Sequence, residues 1–120
     1  MRGWITVLQK SDYFSSVDTE LLEKELTRAR TGLQSYGEGA VIALRGDTYN
    51  SLHVLIDGSV SAEIQDYNGK VIKVESMQAP ATVASGILFA TENRLPVTVV
   101  AETPCTLVKI PKTVILILMQ

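Results

Sequence analysis

The feature that most constrains the fold is a set of strand-like segments separated by turn dipeptides, an Asp-Gly at 57–58 and an Asn-Gly at 68–69. Between them, Val60, Ala62 and Ile64 alternate with polar residues, a pattern typical of a strand with one buried face. Asp-Gly and Asn-Gly favour two-residue hairpin loops, because both loop positions take positive φ. We therefore expect two consecutive hairpins here.

Short strand-like runs continue on both sides of these turns. Upstream, "YGEGAVIALRGD" places an apolar run between glycines at 37, 39 and 46, which indicates a strand between two tight bends. Downstream lie "KVIKVESM", "PVTVVAE" and "TLVKI", the last two joined by Thr103-Pro104. Many short strands with regular turn signals predict a mainly β domain, an antiparallel sandwich or jelly roll.

One amphipathic helix is predicted before the strands, over about residues 18–31. Asp18 can cap its start, and Phe14 can act as a hydrophobic staple. Its apolar face consists of residues at helical spacing, namely Leu22, Leu26, Ala29 and Leu33.

A second helix is predicted over residues 111–120, "PKTVILILMQ", where Pro111 suits the first helical turn. Its apolar residues continue without a polar face. We expect either that the chain is part of a longer protein or that this segment packs on another domain or subunit.

Composition narrows the class of protein. A chain of 120 residues with 46% hydrophobic and 20% charged residues is typical of one globular domain. The net charge is −2 and the basic residues are scattered, so this chain carries no electrostatic footprint for nucleic acid. No secretory signal or membrane-length apolar run is present, so we expect a cytoplasmic protein without membrane contact.

Catalytic and metal chemistry find little support. With one cysteine and one histidine, the chain can form neither a Cys-cluster metal site nor the multi-histidine site of a cupin enzyme. It has no Gly-x-Ser-x-Gly elbow, and Glu63, Glu75 and Asp66 are interpreted as solvated charges. We expect no enzyme activity and no metal, and a buried structural thiol at Cys105.

The order of elements resembles the effector domain of the Crp/Fnr family of bacterial transcription regulators. The matching positions are Gly39, the Gly-Asp at 46–47, Gly58 and the Asn-Gly at 68–69. The resemblance implies a double-stranded β-helix, the jelly roll of cyclic-nucleotide-binding domains, at about residues 34–110 with flanking α-helices, making residues 1–120 one domain. It also implies a small-molecule effector, a homodimer, and DNA contacts through a dimerisation helix and winged helix-turn-helix beyond this chain.

The segment "ASGILFATENRLPV" stands where that family has its phosphate-binding cassette. In the family, backbone amides and a Gly-Glu pair begin the cassette, and an Arg-Ser pair neutralises the cyclic phosphate. Here the resemblance aligns Ala84-Ser85 with Gly-Glu and Leu95-Pro96 with Arg-Ser. Both charged ligands are absent, so we expect a weak anion site rather than high-affinity binding of cyclic AMP.

The predicted ligand-binding residues of this degenerate cassette are Ala84, Ser85, Gly86, Ile87, Arg94, Leu95 and Pro96. Arg94 lies one position from the aligned arginine, and a one-residue shift along an extended segment reverses the side that a side chain faces. Arg94 would reach the pocket only through a bulge at residues 93–94, and is otherwise a solvated loop arginine.

His53, the single histidine, allows two interpretations, a structural side chain or a haem ligand; its apolar neighbours favour the structural one. The sequence thus predicts an effector-sensing domain of a Crp/Fnr-type regulator. The alternative is a stand-alone interaction or scaffold domain whose pocket has degenerated.

Overall fold

The computed structural model describes residue 14, residues 17–28 and residues 31–118. The helices are α1 (Thr19–Arg28), α2 (Ser85–Leu88) and α3 (Lys112–Leu118). The strands are β1 (Leu33–Tyr36), β2 (Val41–Ala43), β3 (Ser51–Asp57), β4 (Ser59–Gln65), β5 (Val71–Gln78), β6 (Ala81–Val83), β7 (Thr98–Ala101) and β8 (Cys105–Pro111).

The strands form two four-stranded antiparallel sheets. The first sheet has the order β1-β8-β3-β6 and the second the order β2-β7-β4-β5. An inner cluster fills the space between them, made of Ile42, Leu55, Val60, Val83, Val99, Ala101, Cys105 and Leu107. The predicted mainly β jelly roll is confirmed, and the thiol of Cys105 is buried as expected.

A second, outer cluster forms where the helices cover the other face of the first sheet. It includes Leu22, Leu26, Leu52, Val54, Leu88, Leu95, Val108, Ile110 and Ile115. Neighbouring residues such as Val54 and Leu55 belong to different clusters, because successive side chains of a strand point to opposite faces. The roll is therefore packed on its inside and capped by helices on one outside face.

Helix α1 begins and packs largely as its sequence predicts. The Oδ1 atom of Asp18 accepts a hydrogen bond from the N–H of Glu20 at 2.8 Å, which caps the helix. Leu22 and Leu26 are fully buried, and Phe14 packs in the same cluster. Leu33 was wrongly assigned to this face, because it begins β1 and is 46% exposed. Ala29, the remaining predicted member, lies outside the described residues.

The hairpin expected at residues 68–69 is confirmed, with a longer loop than predicted. β4 and β5 pair from Ser59↔Gln78 to Gln65↔Val71, and the N–H of Asp66 bonds to the carbonyl of Lys70. Three residues thus form the loop, with Gly69 at φ 81°. Val60 and Ala62 are buried as predicted, but the expected wet face of β4 is wrong at Ser61, which is 1% exposed, and the register shifts at a bulge after Ala62.

The hairpin expected at residues 57–58 is wrong. β3 lies in the first sheet and β4 in the second, so Gly58 turns a corner between sheets. Its φ is 85°, and an added Cβ would lie 2.7 Å from the Cβ of Cys105 and would collide with the carbonyl of Pro104. The glycine is required because two corners of the roll touch here.

Helix α3 follows β8 without a linker. Pro111 ends the strand rather than starting the helix, and the N–H of Lys112 bonds to the carbonyl of Asn50 at 2.9 Å. Leu116 is 49% exposed, whereas Ile115 is fully buried in the outer cluster. Within the described part of the chain, no helix is both long and apolar enough to cross a membrane.

Candidate functional site

The cassette segment, residues 84–97, starts where β6 ends. Ala84 has φ 49° and ψ 45°, a left-handed conformation that costs a residue with a Cβ about 1–2 kcal/mol. This explains physically why a glycine is expected there, since glycine adopts positive φ without strain. The single turn α2 follows, closed by a bond from the N–H of Ile87 to the carbonyl of Ala84 at 3.0 Å.

The end of the cassette segment is joined to the loop between β2 and β3 by backbone hydrogen bonds. The N–H of Leu95 donates to the carbonyl of Asp47 at 2.9 Å, and the N–H of Gly46 donates to the carbonyl of Leu95 at 2.8 Å. Thr48 and Arg94 form an isolated β-bridge beside them. Because the segment is extended here, residues 94 and 95 face opposite sides.

This register directs the side chain of Arg94 toward solvent and that of Leu95 into the outer cluster. Arg94 is exposed, and its Nη1 donates to the carbonyl of Gly46 at 3.1 Å. Leu95 is 2% exposed and belongs to the outer cluster, against which Ala84 and Ile87 also pack.

The structure therefore divides the seven candidate residues between a buried group and a surface group. Ala84, Ile87 and Leu95 meet at the outer cluster, and Ser85 is half-buried beside them. Gly86, Arg94 and Pro96 lie at the surface. Leu95, at the position aligned with the family's arginine, thus contributes an apolar side chain. The guanidinium of the neighbouring Arg94 points to the opposite side.

The polar groups left in the cassette segment are weak anion ligands. At the start of the segment they are the hydroxyl of Ser85 and the backbone amides of α2. The helix is four residues long, so its aligned dipoles sum to little charge. The arrangement suits a ligand of low charge better than a cyclic phosphate.

His53 lies on β3, and its ring meets the ring of Tyr49 edge-on with centroids 4.9 Å apart. The residue is 8% exposed, and burial, followed by the positive charge of Lys109, lowers the pKa of His53 from 6.5 to about 4. The imidazole is therefore neutral at pH 7. Its Nδ1 atom is buried and finds no hydrogen-bond partner among the residues that the structure describes.

Tyr49 is a functional candidate that the sequence did not reveal. Its hydroxyl accepts a hydrogen bond from the N–H of His53 at 2.9 Å and donates one to the carbonyl of Val83. Val83 directly precedes the cassette segment, so the tyrosine ties β6 to β3 where the cassette begins. An aromatic residue in a loop carries no pattern that would have shown this contact.

Three carboxylates were interpreted from the sequence as solvated charges, and in the structure two of them accept local hydrogen bonds while the third is exposed. Glu63 accepts a hydrogen bond from the hydroxyl of Ser61 at 3.0 Å, and Asp66 accepts from the N–H groups of Asn68 and Lys70. Glu75 is exposed. Among the described residues, no three His, Cys, Asp or Glu side chains gather as a metal site would require.

Residues 33–120, well over half of the chain, match the family model described as the cyclic nucleotide-binding domain. The chain belongs to this family, a class of binding domains, and the resemblance seen in the sequence is confirmed at that level. No match was found among the curated proteins.

Solved structures with the same fold include regulator domains. The chain is similar to the sensor domain of the transcriptional regulator DNR from Pseudomonas aeruginosa, with a TM-score of 0.85 and 22% identity over 96% of this chain and 75% of that one. The chain is also similar to a transcriptional regulator from Thermotoga maritima, with a TM-score of 0.73 and 28% identity. That match covers 82% of this chain and 74% of the other.

A third similar structure is the regulatory subunit of a cAMP-independent protein kinase A from Trypanosoma brucei, solved as a mutant bound to cAMP. Its TM-score is 0.80 at 18% identity, over 98% of this chain and 43% of that one. In a separate DNR structure the matched region is 52% of the solved chain, so this sequence spans about half of that regulator.

Proposed function

We propose that this chain is the effector-sensing domain of a Crp/Fnr-type transcription regulator, in which a small ligand inside the β-roll controls a DNA-binding domain. The family membership and the similarity to a regulator's sensor domain support this proposal. Residues 1–120 form the effector domain in this view. The complete protein is a cytoplasmic homodimer that continues into a dimerisation helix and a winged helix-turn-helix.

The observation that carries the proposal is the position of Leu95. The segment has the left-handed Ala84 and the following turn, while Leu95, 2% exposed and packed in the outer cluster, stands at the position that the resemblance aligns with the charged phosphate clamp. The effector is then a molecule that needs no such clamp. The similar regulatory subunit from Trypanosoma brucei belongs to a protein kinase A described as cAMP-independent, and the solved cAMP complex is that of a mutant. This is consistent with the view that the side chains of the pocket, rather than the fold, determine which ligand binds.

A physical route for the signal runs from the cassette segment to α3. Leu88 of α2 and Ile115 of α3 pack in the same outer cluster, and the Nζ atom of Lys112 lies 5.2 Å from the centroid of the Phe89 ring. A ligand that displaces α2 changes the surface on which α3 packs. The packing of α3 then differs between the ligand-free and the ligand-bound domain, and a downstream domain would sense that difference.

The test uses the full-length product of the gene that encodes this chain. The purified protein is incubated with a random library of duplex DNA, and bound DNA is recovered and sequenced over several rounds. We expect one two-fold symmetric motif to be enriched, as a dimeric reader requires, with this 120-residue chain alone as the control that enriches none. If the full-length protein enriches no motif, the proposal that it is a transcription regulator is wrong.

One observation favours the alternative, a stand-alone interaction domain. Strand β5 lies at the edge of the second sheet and exposes three apolar side chains, Val71, Ile72 and Val74. An exposed apolar edge is typical of a surface that another protein covers. A full-length protein that enriches no DNA motif would support this second function.

A further inference from the structure

The roll contains a second polar recess, distinct from the amides of the cassette segment, which we call the His53 pocket. It is a recess open to solvent with a volume of about 250 Å³. The residues that matter for its chemistry are Asp47, Thr48, Ser51, His53, Leu95 and Lys109. Leu95 is the one residue of this set that also belongs to the cassette segment.

The strand register places His53 and Lys109 side by side on the inside of the roll. They are direct partners in the β3–β8 ladder, as are Leu55 and Leu107 two residues along. Partners in an antiparallel pair project to the same face, and residues two apart share that face. Because Leu55 and Leu107 lie in the inner cluster, His53 and Lys109 also face the interior.

The contacts of both side chains bear on what the pocket can bind, and the Lys109 ammonium lies 5.5 Å from the centroid of the Tyr36 ring. The Nδ1 atom of His53 is buried with no hydrogen-bond partner in the described part of the chain. No carboxylate of the described residues lies within 4.0 Å of the Lys109 ammonium. Asp47, the acidic residue of the pocket, already accepts a hydrogen bond from the N–H of Leu44 at 3.2 Å. Buried polar groups are nearly always paired, so the unpaired Nδ1 atom of His53 beside a cavity points to a ligand.

We propose that the His53 pocket binds a small oxyanion, the carboxylate or phosphate group of a metabolite, with Lys109 supplying the charge and His53 a hydrogen bond. Thr48 and Ser51 also line the recess, and a hydroxyl can donate to a further oxygen. The volume is below the roughly 300–1,000 Å³ of pockets for drug-sized ligands, which fits a small acid better than a nucleotide.

The lowered pKa of His53 supports this assignment. Part of that lowering comes from the charge of Lys109, which shows that the two groups are electrostatically close. An anion beside both would offset the lysine charge. The inference does not depend on the chain controlling a DNA-binding domain, so it can fail or hold independently of the proposed function.

The single histidine of the chain makes the test direct, because its imidazole proton signals are unambiguous in an NMR spectrum. The chain is titrated with sodium acetate and, separately, with sodium phosphate at constant pH. Sodium chloride at equal ionic strength is the reference. We expect a saturable shift of the His53 signals with acetate or with phosphate, and no such shift with chloride. The titration that saturates shows whether the pocket prefers a carboxylate or a phosphate.

Matched lysine variants locate the site. Lys109→Gln should weaken binding by about tenfold or more, because it removes the only cation in the pocket's described lining. Lys70→Gln, at an exposed position in the β4–β5 loop, should leave the dissociation constant unchanged. If Lys109→Gln fails to fold, Lys109→Arg keeps the charge and should still bind. No saturable shift with either oxyanion, or equal weakening in the Lys109→Gln and Lys70→Gln variants, overturns the proposal.

Discussion

The hydroxyl of Tyr49 donates a hydrogen bond to the backbone carbonyl of Val83, the last residue before the cassette segment. The same hydroxyl accepts from the N–H of His53, so one phenol joins a loop, a central strand and an edge strand. Tyr49 is 2% exposed, and these bonds are shielded from water. The start of the cassette is therefore positioned by a side chain that lies 35 residues earlier in the sequence (84 minus 49).

We predict that Tyr49→Phe destabilises the domain by about 1–3 kcal/mol, because the buried N–H of His53 and the carbonyl of Val83 both lose a partner. Urea unfolding measures the change. Tyr36→Phe is the matched control, since that hydroxyl bonds to Gln34 in an exposed position and should cost about 0.5 kcal/mol or less. Equal effects of the two variants would show that Tyr49 has no special role.

We predict that Gly58→Ala is more harmful than Gly69→Ala, although both glycines have positive φ, 85° and 81°. At Gly69 the nearest atom to an added Cβ is the Nε2 of Gln65 at 3.6 Å, so the cost is backbone strain of about 1 kcal/mol. At Gly58 the Cβ also collides with Pro104 and Cys105. Thermal unfolding of both variants should separate them, and similar melting temperatures would mean that the two corners are not packed together.

We predict that stability rises with pH through the range from about 4 to 6.5 because of His53. The pKa of His53 is about 4 in the folded chain against 6.5 ordinarily, so the unfolded chain binds more protons in that window. The loss at low pH amounts to about 3 kcal/mol. His53→Gln should remove this component from the pH dependence of the unfolding free energy. An unchanged pH profile in His53→Gln would contradict the buried, neutral histidine.

We predict that the double variant Leu95→Arg with Pro96→Ser binds cyclic AMP at least about tenfold more tightly than the parent chain. The segment already has the left-handed Ala84 and the following turn, and the double variant restores the Arg-Ser pair, one of the two charged elements that the alignment finds missing. Arg94→Leu is the control, because Arg94 points outward and should not contribute. Calorimetry measures the affinities, and a thermal melt checks that the buried arginine has not unfolded the domain.

The parts of the fold that depend on local chemistry were predictable from the sequence. The cap at Asp18, the strand between Gly39 and Gly46 and the turn at Gly69 all follow from short-range rules. Gly58 shows the limit of those rules. A positive-φ glycine marks both a hairpin and a corner between sheets, and which one forms depends on partners far along the chain, here Pro104 and Cys105.

The candidate site, like the fold, has features that the sequence predicts and features that depend on distant parts of the chain. The absence of an Arg-Ser pair at residues 95–96 was visible in the sequence, as was the reason for Arg94 to face solvent. The packing of Leu95 in the outer cluster was not, because it depends on the bonds between residues 46–47 and Leu95. The pairing of His53 with Lys109 across β3 and β8 joins residues more than fifty positions apart. No spacing pattern within either strand predicts that contact.

The central claim is that the roll has the shape of an effector domain and lacks the charged clamp for a cyclic phosphate. Isothermal calorimetry of the unmodified chain with cyclic AMP tests it most directly. The account predicts no binding tighter than about 100 µM, since the position aligned with the clamp holds a buried Leu95. A dissociation constant in the low micromolar range would contradict it and show that this cassette recognises the phosphate by other groups.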